Sequence, residues 1–304
     1  MNLYSLAKAF PSEEHALAYW MKTRWPKGVA CIRCFHTNCY LIETRGKTRK
    51  PARLFECAAC KLHFSATTGT LFHDSHLPLQ KWFTAIALMV ESKKGISASQ
   101  VARHIGVTYK TGWYLCQRIR QAMQETDITP LGEGGLVVEI DEMRIGGRLA
   151  GTGVKAGLGN KVKVLGIIER GGRVHLQTIP DGKKDTLKPI LDAKLSPEAR
   201  EVVTDGAAAY LVLIPPEKHK AGNHKEETRR GGKVSNPAIE GAFSLFKRGY
   251  IGSYHKLGQE HLDKYLGEFC WRFNRRQMQP WLFGMVLLSI AENKPLPYKT
   301  LTKF

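Results

Sequence analysis

Residues 136–147 read LVVEIDEMRIGG. An apolar run carries three acids, Glu139, Asp141 and Glu142, and two glycines stop it. The pattern predicts a buried strand that delivers carboxylates to its end. A carboxylate so placed is costly unless it is paired or binds a metal. Two readings are open: acids that simply point to solvent, and acids that hold a cation. Strand alternation puts Glu139 and Asp141 on one face and Glu142 on the other. Periodicity does not choose between the first two.

The chain around this stretch has 304 residues, enough for about two domains with real cores. Its hydrophobic content is 43% and its charged content 24%, which places it among globular chains rather than disordered ones. Lysine and arginine number 46 against 27 acids, a net charge of +19. That excess favours a polyanionic partner, most simply nucleic acid. No basic amphipathic helix argues for a membrane surface, and no apolar run reaches the ~18–20 residues that span a bilayer. The first residues, MNLYSLAKAFPSEEH, have no signal-peptide pattern. The chain is expected to be cytoplasmic and associated with the nucleoid.

Four of the seven cysteines form two Cys-x-x-Cys pairs, Cys31/Cys34 and Cys57/Cys60, with 22 residues between the pairs. Each pair puts two thiolates on a tight turn, and two turns close a tetrahedral zinc site. Four thiolates leave no open position, so the expected zinc is structural. His36, Cys39 and His63 read as bystanders. Ahead of the pairs, Ser12 caps a short helix with Glu13 and Glu14 in its first turn.

After the ribbon, LPLQKWFTAIALMVESKKG predicts a helix with Trp82, Ile86, Met89 and Val90 on one face. Ser97 caps a second helix that ends at Gly106, and Thr108 caps a third. Helix, short helix, glycine turn and basic helix form the helix-turn-helix pattern. Tyr109 and Lys110 then stand where base contacts are made, with Arg118 and Arg120 further along. Cys116 is expected to pack in the core. A plain three-helix packing unit is the competing reading. Residues 127–135, DITPLGEGG, mark a boundary.

Beyond the opening strand, the glycine-rich RLAGTGVKAGLGN lacks the spacing of a phosphate loop and is expected to connect strands, as a lid at most. KVKVLGIIER and GRVHLQTIP predict a hairpin, DTLKPILDAKL a helix, and REVVTDGAAAY a strand ending on Asp205. A basic loop over 215–233 follows. Asn236 and Pro237 then open a helix whose Ile239, Ala242, Phe243 and Phe246 face a core. Glu240, Ser244 and Lys247 lie on an adjacent face. Carboxylates from separated segments can converge on two divalent ions about 3.5–4 Å apart, the arrangement that serves phosphoryl transfer. Mg²⁺, or Mn²⁺, suits such oxygen ligands. His175, His219, His224 and His255 show no partner pattern.

The blocks WPKGVACIRC, FSATTGTLF, GISASQVARHIGVTYKT, VEIDEMRIGG, VVTDGAAAY, NPAIEGAFSLFKRGYIGSYH and YLGEFCWRFNRR carry a resemblance over nearly the whole chain. The chain resembles the DDE-type transposases of bacterial insertion sequences, in the group with an N-terminal zinc ribbon and an RNase H-like (ISXO-type) catalytic domain. The resemblance implies an α+β multidomain chain. Residues 1–26 form an N-terminal helix, 27–76 the zinc ribbon, 77–128 the helix-turn-helix and 129–304 an RNase H-like α/β domain with a mixed sheet and C-terminal helices. By position, Asp141, Asp205 and Glu240 match the three catalytic, Mg²⁺-binding acids, with 34 residues between the second and third. Lys247, with Arg248 beside it, matches the basic position that contacts DNA. Some relatives use Asn in place of the third acid, and Asn236 lies one turn away. The implied activity is metal-dependent cleavage at the inverted-repeat ends of the element and transfer of the 3′ hydroxyl into target DNA, by an oligomer assembled on DNA. A DNA-binding regulator with an inactive second half, and an RNase H-like nuclease that cuts without joining, are the alternatives.

Overall fold

The structure is a computed structural model that describes residues 3–44, 52–125, 129–146, 161–222, 236–254 and 257–302. Its contacts divide the chain into two compact units, Met1–Met123 with Gln277–Phe304, and Gln124–Arg276. In chain order the first unit begins with α1 (Leu3–Ala9) and α2 (Glu13–Arg24), then β1 (Cys39–Thr44), β2 (Ala52–Cys57) and β3 (His63–Phe64). Helices α3 (Leu79–Glu91), α4 (Ala98–Ile105) and α5 (Tyr109–Ala122) follow. The second unit holds β4 (Val137–Ile145), β5 (Val162–Glu169), β6 (Val174–Ile179), α6 (Lys184–Lys194), β7 (Glu201–Thr204), α7 (Ala208–Leu213), β8 (His219–Ala221), α8 (Pro237–Gly249) and α9 (Leu262–Asn274). Helices α10 (Leu282–Glu292) and α11 (Tyr298–Thr302) complete the first unit.

In the first unit β1, β2 and β3 form an antiparallel sheet. Phe55 and Phe64 pack with Cys31 and Cys57 beneath Trp25, which meets both rings edge-on at 5.8 and 6.0 Å. Helix α3 is buried on nearly every side, as its continuous apolar run requires. The expected caps form at Ser12, Ser97 and Thr108, each accepting an N–H three residues on. Gly106 ends α4 in the left-handed conformation. Gly112 lets α5 press on α4, since a Cβ there would lie 2.7 Å from the Ala102 Cβ.

The grouping of residues 129–304 into one domain needs a correction. Residues 277–304 pack in the first unit. Leu282, Phe283, Val286, Leu287 and Ile290 of α10 are buried, and α10 lies against α2, α3 and α5. Phe283 meets Phe83 edge-on at 5.4 Å, and the Ser289 hydroxyl donates to the Ala122 carbonyl at 2.7 Å. Hydrophobic periodicity identifies a buried face but not the surface that covers it.

The second unit is a five-stranded mixed sheet in the order β6-β5-β4-β7-β8. β4 pairs antiparallel with β5 and parallel with β7. Helices cover both faces. Val138, Ile140, Leu165 and Ile167 pack against α6 and α7. Met143, Ile145, Val164 and Ile168 pack against α8 and α9. This mixed α/β arrangement is consistent with an RNase H-like fold. No helix among the described residues is long and apolar enough to cross a membrane. The glycine-rich segment expected to connect two strands (148–160), residues 223–233 of the basic loop, His224 and His255 lie outside the described residues.

Candidate active site

β4 pairs in parallel with β7 at Val137–Glu201, Val138–Val202 and Glu139–Val203. The ladder ends there, two residues before Asp141 on β4 and two before Asp205 on the other chain segment, so both acids follow the last pair by the same number of residues. Asp205 lies one residue beyond the end of β7 and is exposed. Its Oδ1 accepts the Ala207 N–H at 3.0 Å, and Gly206 takes the positive φ that turns the chain away. Asp141 is half-buried, and its Oδ1 accepts the Glu142 N–H at 2.7 Å. Burial raises the pKa of Asp141, and the negative charges of Asp205, Glu240 and Glu142 raise it further against that hydrogen bond. The fields of Asp205 and Glu240 therefore both reach Asp141.

Glu240 is exposed in the first turn of α8. Two features seat this helix on the sheet. Gly166 is the cross-strand partner of Asp141, and a Cβ there would come within 2.6 Å of both Ile239 and Phe243. The missing side chain opens the space α8 occupies. The second feature is Glu139, which is fully buried. Its Oε2 accepts the Ala238 and Ile239 N–H groups at 2.9 and 3.0 Å, and its Oε1 accepts Arg170 Nε at 2.7 Å. Asn236 occupies the N-cap position, as its sequence context predicts, but makes no cap bond with its side chain. Its Oδ1 is buried with no hydrogen-bond partner among the described residues. The capping role belongs to Glu139.

Lys247 and Arg248 are exposed near the other end of α8, and Arg248 Nε donates to the Ser244 carbonyl at 3.3 Å. On the opposite sheet face Glu142 pairs with Lys163 at 2.6 Å and accepts the Tyr210 hydroxyl at 3.1 Å. Tyr210 is buried on α7, and burial together with the Glu142 charge drives its pKa up. The contacts agree with strand alternation: Glu139 and Asp141 face α8, and Glu142 faces α7. Sequence reasoning passed over Gly166, although a lone glycine within a strand signals close approach of another backbone or side chain.

In the first unit Cys31, Cys34, Cys57 and Cys60 have all their sulfurs within 4.8 Å of one another. Cys31 and Cys60 are 3.5 Å apart, as are Cys34 and Cys57. A zinc–sulfur tetrahedron with ~2.3 Å bonds has edges of about 3.8 Å, so the four thiols fit a structural Zn²⁺. N–H groups of Arg33 and Cys60 already point at the sulfurs of Cys31 and Cys57. Cys39 instead donates to the His36 carbonyl, and His63 pairs with Glu56. Among the described residues this is the only group of three or more cysteine, histidine or acidic side chains so tightly gathered. The three acids are therefore not drawn together to that degree.

Tyr109 is 61% exposed at the start of α5, and Lys110 lies 5.0 Å from the centre of the Tyr298 ring. Arg118 and Arg120, further along, are buried. Arg118 stacks on Tyr114 and donates to the carbonyls of Leu71, His73 and Leu296, so it ties α5 into its own unit.

Comparison with known proteins gives two family matches. Residues 132–274 match the ISXO2-like transposase domain, and residues 11–63 match the transposase zinc-ribbon domain. An uncharacterised protein in the transposable element ISH50 of Halobacterium salinarum is 28% identical over 279 residues, which is 86% of this chain and 91% of that one. Among solved structures, a pre-cleavage Mos1 transpososome matches over 70% of this chain and 78% of its own, at 10% identity and a TM-score of 0.25, a likeness too slight to argue from.

Proposed function

The chain has the domain architecture of the zinc-ribbon, IS1595-type DDE transposases, and from that premise we infer that it cuts DNA at the ends of an insertion sequence and joins the freed 3′ hydroxyl to target DNA. One observation carries the reading: the charges of Asp205 and Glu240 both act on half-buried Asp141, while α8 is pinned through Glu139 to the strand that carries Asp141, with Glu240 in its first turn. The half-buried Asp141 carboxylate feels the negative charges of Asp205 and Glu240, and three carboxylates that converge form the donor set of a hard divalent cation. Mg²⁺ or Mn²⁺ bound there would supply Lewis-acid stabilisation of the attacking and leaving oxygens.

Asp141, the least exposed of the three, is the anchor, and Asp205 and Glu240 complete the set from the solvent side. Lys247 and Arg248 follow Glu240 along α8 and are placed to hold the phosphate backbone. In the first unit, α4 and α5 serve as a helix-turn-helix, with Tyr109 and Lys110 contacting the element ends and the zinc ribbon of the same unit contributing to their recognition. The net charge of +19 supports a long DNA contact. Binding two ends at once requires an oligomer on DNA.

The test is incubation of the protein with Mg²⁺, a labelled element end and a target plasmid. Joined product is expected. Cleavage without joining would make the protein a nuclease, and binding alone a regulator. Asp205→Asn should keep end binding and lose both cutting and joining by at least ~10²-fold. Cleavage at the wild-type rate in that variant would sink the metal-site assignment.

A further inference from the structure

We propose that Glu139 is a positioning residue, clamping the first turn of α8 to β4 and thereby setting the distance from Glu240 to Asp141. The proposal rests on the reading that Asp141, Asp205 and Glu240 hold a divalent cation. Glu139 acts as a clamp rather than a fourth ligand, because both its oxygens already accept hydrogen bonds. Oε2 receives two backbone N–H groups and Oε1 receives Arg170. A fully buried carboxylate is tolerated only when so satisfied.

The economy of the arrangement points to positioning rather than plain helix capping. Pro237 has no N–H, so Ala238 and Ile239 offer the first donors of α8. Asn236 stands at the N-cap and would satisfy them from within the same segment. Instead the acceptor comes from the strand that carries Asp141, two residues away on the same face. On the helix the clamped N–H groups immediately precede Glu240. One residue separates clamp from acid on the strand and none does on the helix, so little slack remains between the two ligands. Slippage of α8 by one residue would move Glu240 by about 1.5 Å. Displacements of that size are enough to disable a catalytic constellation. Gly166 closes the gap from the other side by admitting Ile239 and Phe243. Arg170 neutralises the clamp, so the Glu139 charge is balanced locally.

The test uses the full-length, zinc-loaded protein. Mn²⁺ binding is measured by electron paramagnetic resonance without DNA, alongside the Mg²⁺ dependence of end cleavage. Glu139→Gln keeps the shape but places an amide NH₂ against either the two N–H groups or Arg170. It should leave zinc content and the circular dichroism spectrum unchanged and weaken Mn²⁺ binding about tenfold. Half-maximal cleavage should need correspondingly more Mg²⁺, and saturating Mg²⁺ should restore much of the rate, which a merely less stable fold would not show. Wild-type Mn²⁺ affinity in Glu139→Gln, with Asp141→Asn and Glu240→Gln both impaired, overturns the positioning role and leaves the metal site standing. Wild-type affinity in all three removes the metal site and the proposal with it. If Glu139→Gln does not fold, Ala238→Pro removes one of the two clamping N–H groups and leaves Glu139 charged and paired to Arg170. Weaker Mn²⁺ binding in that variant supports the clamp, and unchanged binding overturns it.

Discussion

Gly166 and Glu139 act on the same helix from neighbouring strands, one by yielding space and the other by holding two N–H groups. Gly166→Val would drive a branched side chain into Ile239 and Phe243, where even a Cβ comes within 2.6 Å. Overpacking of this kind displaces backbone at a cost of about 1–3 kcal/mol. End cleavage should fall at least ~10²-fold while end binding, a property assigned to the other unit, persists. Equal loss of binding and cleavage would argue against local displacement of α8. Asp141 makes a second prediction. Burial and the neighbouring charges raise its folded pKa above the ordinary carboxylate value. Its ionised form therefore opposes folding at neutral pH, and the penalty disappears as pH falls through the raised value. In magnesium-free buffer Asp141→Asn should melt a few degrees above wild type near pH 7, and the gap should close by about pH 4. A lower melting temperature for the variant at neutral pH would contradict the repulsion.

At the level of elements, the molecule caps two helices from outside. The first-turn N–H groups of Leu79 and Gln80 in α3 donate to the Glu13 carboxylate of α2 at 2.7 and 3.1 Å, much as those of α8 donate to Glu139. A proline stands at the start of each, Pro78 at the N-cap of α3 and Pro237 as the first residue of α8, and neither helix has a side-chain bond from its own N-cap. Local caps were readable in the chain because Ser12, Ser97 and Thr108 act three residues away. The remote caps were not, since their partners lie 66 and 99 residues apart. Asn236 illustrates the difference: local chemistry nominates it, and a distant acid displaces it. The ribbon makes its own prediction. Among the described residues the buried core of this small sheet is Phe55, Phe64, Cys31 and Cys57, so bound metal is expected to hold it. Cys57→Ser should lose zinc and impair recognition of element ends. Unchanged zinc content and end binding would refute the structural role.

Across the whole molecule, the return of residues 277–304 to the first unit makes that unit discontinuous. A chain ended after Arg276 would strip α10 from the faces of α2, α3 and α5. Amide exchange in those helices should accelerate sharply, while β4, β5 and β7 keep their protection. Loss of protection in the sheet instead would show that the division into units is wrong.

Spacing and periodicity alone identify the four-cysteine cluster, the helices with their buried faces and the hairpin. They do so because each depends on residues within one or two turns or one strand. The strand ends differ from expectation: β4 continues past Asp141 to Ile145, and β7 stops at Thr204, before Asp205. The family resemblance selects Asp141, Asp205 and Glu240 from among the other acids. What required the folded chain is the parallel pairing of β4 with β7 ahead of Asp141 and Asp205, the burial of Arg118 and Arg120, the place of the C-terminal helices, and the Glu139 hydrogen bonds with the opening at Gly166. Each of these is a relation between segments far apart in sequence. Pairing and packing create it, and no local pattern encodes which distant surface a residue will meet.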